Sequence, residues 1–333
     1  MNVLVTGGAG YIGSHTCVAL LEAGHTVIVV DNLFNSKIET VDKIKQITGN
    51  DILFYQLDVT DGNKVEELFS KHNIDGVIHF AGFKAVGESS KKPLSYYYNN
   101  LVSTMVLAKL CLRYGVGKFI FSSSATVYGD NRDPFVEDMK LLPTTNPYGE
   151  TKVMCERILN DIAKATPDFA VSLLRYFNPI GSHESGLIGE APNGIPNNLM
   201  PYIAKVAVGK LNKLKVFGND YPTGDGTGVR DYIHVVDLAE GHVAAIEKLT
   251  EGVHIYNLGT GHGTSVLQLI EAFEEFNNIK IPYEIVDRRS GDIAECYADV
   301  SKANRELGWA SKRSIREMVV DAWKFEKFLN SSY

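Results

Sequence analysis

The sequence predicts an α/β fold, in which a doubly wound parallel sheet carries a smaller, mixed α/β lobe toward its C-terminus. Three observations support this prediction. Short β-branched runs alternate with stretches of helical period up to about residue 178, glycines and prolines then interrupt the alternation, and helix-like segments dominate the remainder. We therefore expect a sheet domain over residues 1–178 and a substrate-binding lobe over residues 179–333, with some segments of the lobe returning to the sheet domain.

The individual elements follow from local composition. Strands are placed where β-branched and aromatic residues cluster, and helices where apolar residues recur every three or four positions. Strands this apolar, joined by helical crossovers, form parallel sheets covered on both faces. In the first part we predict strands at residues 2–6, 26–30, 52–57, 76–80, 118–122 and 170–174, and helices at residues 12–23, 37–47, 63–71, 94–113 and 148–165. In the second part we predict helices at residues 197–208, 235–248, 265–276 and 315–328, and a strand at residues 254–258.

Composition excludes several classes of protein. Apolar residues make up 44% of the 333 residues and charged residues 22%, which is typical of a folded globular chain. The net charge of −7 repels polyanions, so we expect no nucleic-acid partner, and any bound phosphate must be held by local groups. The sequence has neither an apolar run of about 18 residues nor a leader pattern, so we expect no membrane association and a cytoplasmic location.

Cysteines and histidines carry no metal signature. Cys17, Cys111, Cys155 and Cys296 are far apart and form no CxxC pair, and we expect all four to be buried thiols. The nine histidines show no spacing typical of metal ligands, so we expect no metal site.

A glycine-rich loop follows the first predicted strand. Residues 6–13 read TGGAGYIG, which satisfies both GxxGxxG and GxGxxG. The missing Cβ atoms permit a tight turn and let backbone N–H groups approach a pyrophosphate, while the following helix contributes partial positive charge. The loop therefore predicts a dinucleotide site of the Rossmann type.

An acidic residue ends the second predicted strand. Asp31 lies 31 − 13 = 18 residues beyond Gly13, close to the spacing at which a carboxylate accepts hydrogen bonds from the adenine ribose. A carboxylate there repels a 2′-phosphate, and no Arg or Lys follows directly, so we expect NAD rather than NADP. Asp58, after the third strand, either reaches the adenine in the same way or caps the next helix.

A tyrosine and a lysine lie four residues apart at Tyr148 and Lys152, so a helix places both on one face. A tyrosine has an ordinary pKa of about 10, which a nearby ammonium would lower toward neutrality, and a phenolate can then take a proton from a sugar hydroxyl. Tyr114 and Lys118 repeat the spacing, but two glycines and a predicted helix end between them separate their side chains. Ser122, Ser123 and Ser124 follow the fifth strand, and one of these hydroxyls is expected to share a hydrogen bond with Tyr148 and the substrate.

These motifs together resemble the extended short-chain dehydrogenase/reductase family. The resemblance spans nearly the whole chain and is carried by residues 7–15, 31–32, 79–82, 84–89, 122–129, 148–152, 175–178, 230–234 and 259–261. It implies that Ser124, Tyr148 and Lys152 are catalytic. It also implies that the following residues contact NAD: Gly7, Gly10, Tyr11, Ile12, Gly13, Asp31, Asn32, Asn35, Ser36, Asp58, Val59, Phe80, Ala81, Gly82, Lys84, Asn99, Ser122, Tyr148, Lys152 and Tyr176.

A second set of residues is expected to contact a UDP-sugar. Arg230 and Arg289 are also candidates on chemical grounds, because their guanidinium forks match a diphosphate, although surface or interlobe salt bridges would use the same residues. The set implied by the resemblance is Ser124, Tyr148, Phe177, Asn178, Asn198, Leu199, Val216, Phe217, Arg230, Arg289, Asp292 and Cys296.

Within this family the chain is most similar to members that invert C4 of UDP-galactose and UDP-glucose through a transient 4-keto sugar. A nucleotide-sugar 4,6-dehydratase is the nearest alternative, but it requires an acidic pair where Ala125 and Thr126 stand. The other alternative is a non-catalytic NAD-binding scaffold. Cys296 occupies a position where some relatives carry Tyr, so we also expect room for UDP-N-acetylhexosamines. The resemblance implies a homodimer through the helices at residues 94–113 and 148–165.

Overall fold

A parallel sheet of seven strands forms the centre of the structure, a computed structural model that describes residues 1–192, 196, 198–289 and 291–331. Over these ranges the chain forms fourteen strands and eleven α-helices. The strands are β1 (Asn2–Thr6), β2 (Thr26–Asp31), β3 (Leu53–Gln56), β4 (Gly76–His79), β5 (Lys118–Ser124), β6 (Ala170–Tyr176), β7 (Asn178–Ile180), β8 (Leu214–Phe217), β9 (Val229–Arg230), β10 (Tyr232–His234), β11 (Val253–Leu258), β12 (Thr264–Ser265), β13 (Tyr283–Val286) and β14 (Glu295–Cys296). The helices are α1 (Tyr11–Glu22), α2 (Glu39–Thr48), α3 (Gly62–Lys71), α4 (Val86–Ser89), α5 (Pro93–Tyr114), α6 (Pro147–Ala165), α7 (Leu199–Ala207), α8 (Val235–Lys248), α9 (Val266–Asn277), α10 (Ser301–Leu307) and α11 (Ile315–Ser331).

The strand order of the large sheet is β11-β6-β5-β4-β1-β2-β3, and every neighbouring pair is parallel. Side chains alternate along each strand, so the sheet has two apolar faces. Val3 and Val5 pack in one core with residues of α1, α2 and α8, whereas Leu4 packs in the other core with residues of α3, α5 and α6. The doubly wound sheet predicted from the sequence is confirmed.

The C-terminal half supplies both a lobe and part of the sheet domain. In the lobe, α7, α9 and α11 pack with the parallel pair β8 and β13 around a third apolar core that includes Phe273 and Val319. Strand β11 and helix α8 instead join the large sheet and its covering layer. Two smaller sheets, β7 with β10 and β12-β9-β14, lie in the same half of the chain.

Two strands extend beyond their predicted ends. Strands β5 and β6 pair in register from Lys118 opposite Ala170 as far as Ser124 opposite Tyr176, two residues further than predicted in each strand. The extension is a property of the pairing, because each strand's backbone donors and acceptors are satisfied by its neighbour. It brings Ser124 to the carboxyl end of the sheet, where ligands bind in doubly wound folds.

Helix α6 begins where proline and a capping residue predict a start. The Asn146 side chain accepts a hydrogen bond from the Gly149 N–H at 2.9 Å, and Pro147 occupies the first helical position, where its missing N–H removes no helical hydrogen bond. Tyr148 and Lys152 consequently lie in the first two turns of the helix, on the face toward β5.

Several finer expectations are corrected by the structure. Cys17, Cys111 and Cys155 are buried, but Cys296 is only half-buried because it lies on the two-residue strand β14 rather than in a helix packed on the sheet. The predicted helix at residues 37–47 begins at Glu39, and the one predicted from Asn197 begins at Leu199, with Asn197 itself outside the described residues. No helix in the described ranges is both long enough and apolar enough to span a bilayer.

Candidate active site

A cavity of about 1080 Å³ lies at the carboxyl ends of the central strands. One wall is formed by the glycine loop and the segments that follow β2, β4 and β5. The other comes from residues 176–180 and 187–192, together with Asn198 and Tyr232. Ligand pockets usually occupy about 300–1,000 Å³, so this cavity is slightly larger than the upper end of that range.

The glycine loop fits the close approach of a pyrophosphate. Gly7 has a φ of +70°, and a Cβ there would lie 2.9 Å from the Ala81 nitrogen. A Cβ on Gly13 would lie only 2.2 Å from the Gly7 carbonyl oxygen. Gly10 is the N-cap of α1 and supplies no capping side chain, so the first-turn N–H groups are available to an anion.

Asp31 joins the glycine loop to the turn after β2. One carboxylate oxygen accepts hydrogen bonds from the Leu33 N–H at 2.9 Å and the Ser36 hydroxyl at 2.8 Å, and the other accepts from the Ala9 N–H at 3.1 Å. The residue lines the cavity as well. Asp31 therefore fixes the glycine loop beside the turn after β2, and its contact with a dinucleotide stays a prediction.

The alternatives left open for Asp58 are separated by the structure. Asp58 accepts hydrogen bonds from Thr60 and Asn32 and lines the cavity. Helix α3 is capped instead by Asp61, whose side chain accepts from the Lys64 N–H. The helix-cap role for Asp58 was therefore wrong, and contact with a ligand stays a prediction.

Ser124, Tyr148 and Lys152 all line the cavity. The Ser124 side chain is near enough to Tyr148 to lower the pKa of its phenol. The Lys152 Nζ lies 5.9 Å from the centre of the Tyr148 ring and 4.8 Å from that of Phe121, and it donates a hydrogen bond to the Ser122 carbonyl. The predicted common helical face of Tyr148 and Lys152 is confirmed.

The predicted lowering of the Tyr148 pKa is wrong for the protein without ligands. Burial raises the pKa of the phenol above its ordinary value, and the Ser124 side chain lowers it only in part. Burial also lowers the pKa of Lys152 to about 8, although Cys155 and Glu156 act in the opposite direction. Both groups lose hydration in the same enclosed place, and this loss sets the direction of each shift.

The three consecutive serines have different partners. The Ser122 carbonyl accepts a hydrogen bond from Lys152, and the Ser124 hydroxyl accepts from the Thr126 N–H at 3.3 Å and the Thr126 hydroxyl at 3.0 Å. The Ser123 hydroxyl instead donates to Glu156 at 2.5 Å behind the cavity. Among the three, Ser124 is the one whose side chain lowers the pKa of Tyr148.

A buried ion pair supports the strand end that carries these serines. The Arg175 guanidinium donates to both oxygens of Glu156, at 3.0 and 2.7 Å, and both side chains are almost fully buried. A third donor of Arg175 reaches the Glu137 carbonyl at 3.2 Å. Sequence reasoning missed this network, because its members come from β5, α6, β6 and a loop, and only the fold brings them together.

The second tyrosine–lysine repeat does not form a comparable pair. Helix α5 ends at Tyr114, and Gly115 follows with a φ of +69°. Lys118 belongs to β5, and its Nζ donates to the Ile246 carbonyl. The sequence-based separation of these two side chains is confirmed.

The predicted cofactor contacts all line the one cavity. They comprise Gly7, Gly10, Tyr11, Ile12, Gly13, Asp31, Asn32, Asn35, Ser36, Asp58, Val59, Phe80, Ala81, Gly82, Lys84, Asn99, Ser122, Tyr148, Lys152 and Tyr176. The Tyr176 hydroxyl is buried without a close hydrogen-bond partner of its own, so a polar group of a ligand would satisfy it. The glycine loop and this hydroxyl both fit a bound dinucleotide.

Residues 3–259 match the pattern of the NAD dependent epimerase/dehydratase family.

This chain belongs to the NAD dependent epimerase/dehydratase family.

Similar proteins cover the whole chain. The UDP-glucose 4-epimerase of Bacillus subtilis is 58% identical over 98% of this chain and 97% of its own length. That of Pasteurella multocida is 58% identical over 98% of both chains. The crystal structure of UDP-glucose 4-epimerase from Bifidobacterium longum in complex with NAD+ and UDP has a TM-score of 0.97 and 54% identity, with full coverage of both chains. The resemblance inferred from the motifs is confirmed.

The substrate contacts expected in this family member fall into two groups. Ser124, Tyr148, Phe177, Asn178 and Asn198 line the cavity. The cavity lining does not include the other seven, which are Leu199, Val216, Phe217, Arg230, Arg289, Asp292 and Cys296.

Two of these seven residues contact Arg289. Its guanidinium pairs with Asp292 at 2.9 Å and covers the Phe217 ring. Burial raises the pKa of Tyr232, which lines the cavity, to about 12, and the charges of Arg230 and Arg289 act against this rise. The two arginines therefore act electrostatically on the same cavity residue.

Three of the predicted contacts have internal partners. Arg230 donates to the Val229 carbonyl at 2.8 Å and lies opposite Cys296 in the pairing of β9 with β14. Val216 is buried in the lobe core, and Leu199 packs against that core. Their contacts with a substrate stay predictions, and for Val216 such a contact would come from the main chain.

Glu190 is a cavity residue that sequence reasoning missed. It lies in the Gly- and Pro-rich segment between β7 and α7, and its carboxylate contacts Lys84 and Asn198. No periodicity marks such a position, and its relevance follows only from where the segment lies. Among the described residues, groups of three or more His, Cys, Asp and Glu side chains suited to a metal ion are absent.

Proposed function

We propose that the chain catalyses the reversible epimerisation of UDP-galactose and UDP-glucose at C4, with NAD as its cofactor. The observation that carries this proposal is that Ser124, Tyr148 and Lys152 line the same cavity as the glycine loop and as Asn198 and Tyr232 of the lobe. The full-length similarity to UDP-glucose 4-epimerases supports the same reaction.

In the proposed reaction, the protein's own side chains transfer one proton from the substrate hydroxyl to Tyr148 and back. NAD, when bound, would supply reversible hydride transfer at the sugar C4. The Tyr148 phenolate takes the proton of the 4-hydroxyl as the sugar is oxidised to its 4-keto form and, as the phenol, gives it back on reduction, and the Ser124 hydroxyl hydrogen-bonds the same sugar oxygen. Lys152, in its protonated form, stabilises the phenolate by charge.

The NAD site combines backbone and side-chain contacts. We propose that the glycine loop and the N-terminus of α1 hold the pyrophosphate, since Gly7, Gly10 and Gly13 leave room for it. Asp31 accepts from the adenine ribose, and Lys152 holds the second ribose. The other members of the proposed set are Tyr11, Ile12, Asn32, Asn35, Ser36, Asp58, Val59, Phe80, Ala81, Gly82, Lys84, Asn99, Ser122, Tyr148 and Tyr176.

The UDP-sugar site uses the lobe. We propose that the lobe comprises mainly residues 179–333 and the sheet domain residues 1–178, with some later segments, among them β11 and α8, returning to the sheet domain. Arg230 and Arg289 are the cationic side chains for the diphosphate, and the charges of both act on Tyr232, which lines the cavity. The remaining proposed contacts are Ser124, Tyr148, Phe177, Asn178, Asn198, Leu199, Val216, Phe217, Asp292 and Cys296. Acceptance of N-acetylated sugars beside the small Cys296 side chain stays a prediction.

The neighbours of Ser124 disfavour dehydration. Ala125 is buried and apolar, and the Thr126 hydroxyl donates to the Ser124 hydroxyl at 3.0 Å. Neither side chain can remove the C5 proton or protonate a departing hydroxyl, as a 4,6-dehydratase must. A non-catalytic scaffold is also disfavoured, because it would have no need for Ser124, Tyr148 and Lys152 together in one cavity.

We also propose that the chain forms a homodimer through α5 and α6. Leu94, Tyr98, Met105 and Leu112 are exposed apolar side chains of α5, with Leu94 80% exposed. Their spacings of four and seven residues place them along one helical face, which is the pattern of an interface between helices. A second copy of α5 supplies the matching face.

Conversion of UDP-galactose to UDP-glucose, followed by NMR on NAD-loaded protein, tests the catalytic proposal. Tyr148→Phe removes the hydroxyl that moves the proton, so we expect turnover to fall roughly 10²–10⁴-fold. Tyr114→Phe is the matched control, because Tyr114 belongs to the repeat outside the cavity, and it should retain full turnover. Near-complete activity of Tyr148→Phe would remove this residue from the mechanism, and absence of conversion by the native protein would refute the function.

A further inference from the structure

One carboxylate bridges the two walls of the cavity. Glu190 Oε1 accepts a hydrogen bond from the Lys84 ammonium at 3.2 Å and another from the Asn198 amide at 2.6 Å. Lys84 follows β4 on the sheet side, whereas Asn198 immediately precedes α7 in the lobe. All three residues line the cavity. The same oxygen atom therefore connects a residue at the dinucleotide end with one on the lobe side.

The charge of Glu190 is unexpected in this position. Its side chain is only 10% exposed, and the cavity takes ligands that carry diphosphates. An unpaired carboxylate there would repel both ligands and would be costly to bury. Pairing with Lys84 offsets this charge, and an ammonium with three donors still has two for a ligand.

The same contact orients Asn198. A carboxylate only accepts hydrogen bonds, so the Asn198 group that faces Glu190 must be the amide nitrogen. The amide oxygen is then left to accept from a donor on a ligand, such as a sugar hydroxyl or a base N–H. Glu190 thus determines which way the Asn198 amide is presented.

We propose that Glu190 is a positioning residue that holds Lys84 and Asn198 in their binding orientations and so ties NAD retention to UDP-sugar binding. The inference rests on the proposed function, since it assumes that these two ligands share the cavity. A simple surface ion pair would contribute little, because Lys84 is 52% exposed. Glu190 differs from such a pair because its nearly buried Oε1 also accepts a hydrogen bond from Asn198.

Two substitutions separate the contributions of charge and hydrogen bonding. Glu190→Gln keeps an acceptor for the Asn198 amide but loses the charge that holds Lys84, whereas Glu190→Ala loses both. Glu66→Gln is the matched control, because Glu66 Oε1 likewise accepts from two side chains, Arg113 and Tyr114, but lies outside the cavity. Each NAD-loaded variant is titrated with UDP by calorimetry, and the rate of NAD release and the thermal midpoint are measured.

We expect Glu190→Ala to bind UDP about tenfold more weakly, the effect of removing a hydrogen bond to a charged group, and Glu190→Gln to bind it within about twofold of the native protein. Both should release NAD about threefold faster, in keeping with a half-exposed ion pair. Glu66→Gln should match the native protein in both measurements. Glu190→Gln should also keep the native thermal midpoint, which separates positioning from a general loss of stability.

The outcomes distinguish this inference from the proposed function. If the native protein binds UDP and retains NAD but Glu190→Ala behaves like Glu66→Gln, Glu190 has no positioning role and the function stands. A fall in the thermal midpoint of both variants, with native UDP affinity in Glu190→Ala and native NAD release in both, would assign the residue to stability alone and overturn the inference. A native protein that neither retains NAD nor binds UDP would refute the proposed function and this inference with it.

Discussion

At the level of single residues, burial governs the chemistry of the Tyr148–Lys152 pair. The Lys152 Nζ lies 5.9 Å from the Tyr148 ring centre, and at an effective dielectric constant of about 20 a protonated amine at that distance contributes roughly 2.8 kcal/mol. Burial lowers the pKa of Lys152 to about 8, so it is mainly protonated at neutral pH and loses its charge above pH 8. The lysine therefore assists the phenolate only on the acid side of its own pKa.

The lowered pKa of Lys152 predicts that its contribution to turnover depends on pH. In the native protein, turnover should decline as the pH rises above about 8, because the ammonium is lost. Lys152→Met should reduce turnover about a hundredfold at pH 7 and should lack this decline, since the charge is worth roughly two pKa units. A pH series of epimerisation rates measures both effects.

Lys118→Met provides the comparison for this prediction. Lys118 belongs to the repeat whose side chains diverge, and its ammonium contacts the Ile246 carbonyl. This variant should keep the native pH profile. A Lys152→Met protein with the native alkaline decline would assign that decline to another group.

At the level of elements, the glycine loop and the start of α1 form one unit with the ends of β1 and β4. Gly7 contacts the backbone after β4, and its N–H donates to the Val30 carbonyl at 2.7 Å. Gly13 packs against the Gly7 carbonyl so closely that no side chain fits. The shape of this loop is therefore set by backbone contacts, with very little room for adjustment.

A single methyl group at Gly13 should consequently disturb both folding and cofactor binding. The added Cβ of Gly13→Ala would lie 2.2 Å from a backbone oxygen, so we expect a loss of about 3 kcal/mol in unfolding free energy. We also expect the purified protein to contain less NAD. Urea unfolding and the ratio of NAD to protein measure these effects.

Gly62→Ala is the control at the element level. Gly62 opens helix α3, and the nearest atom to an added Cβ is 3.8 Å away. Alanine is a better helix former than glycine, so this variant should be as stable as the native protein or slightly more so. If Gly13→Ala were as stable as Gly62→Ala and contained as much NAD, the close packing around Gly13 would not be needed for stability or for NAD binding.

At the level of the whole molecule, three buried histidines link stability to pH. Burial lowers the pKa of His15 and His79 to about 3 and that of His242 to about 4. They belong to α1, β4 and α8, all part of the sheet domain. The unfolded chain binds protons at these sites near pH 6.5, whereas the folded protein does not.

The sign of the effect follows from this difference. The histidines contribute full stability above pH 6.5, and the contribution is lost as the pH falls toward 4, because protons favour the unfolded chain. At pH 5 the loss is on the order of 2 kcal/mol for each histidine. Urea unfolding at pH 7 and pH 5 should show a clear decrease.

Replacement of one histidine tests the origin of this decrease. His242→Gln should reduce the difference between pH 7 and pH 5, whereas His262→Gln, at an exposed position, should leave it unchanged. Equal pH dependence in both variants would assign the decrease to carboxylates instead.

The sequence by itself determined the features that depend on neighbours along the chain. The alternation of strands and helices, the glycine loop before α1, the start of α6 at Pro147 and the shared face of Tyr148 and Lys152 follow from local periodicity, capping and backbone freedom. Boundaries were less well predicted where pairing extends a strand, as in β5 up to Ser124. Residues 254–258 were recognised as a strand, but their place beside β6 was not assigned.

Only the tertiary structure decided which polar groups are buried and which partners they meet. The raised pKa of Tyr148, the contact of Ser123 with the Glu156–Arg175 pair and the bridge from Lys84 to Asn198 through Glu190 all join segments distant in sequence. Hydration and electrostatic energy depend on distances in space, which no local pattern specifies. The positions of the chemical groups were therefore predictable from the sequence, whereas their protonation and pairing required the fold.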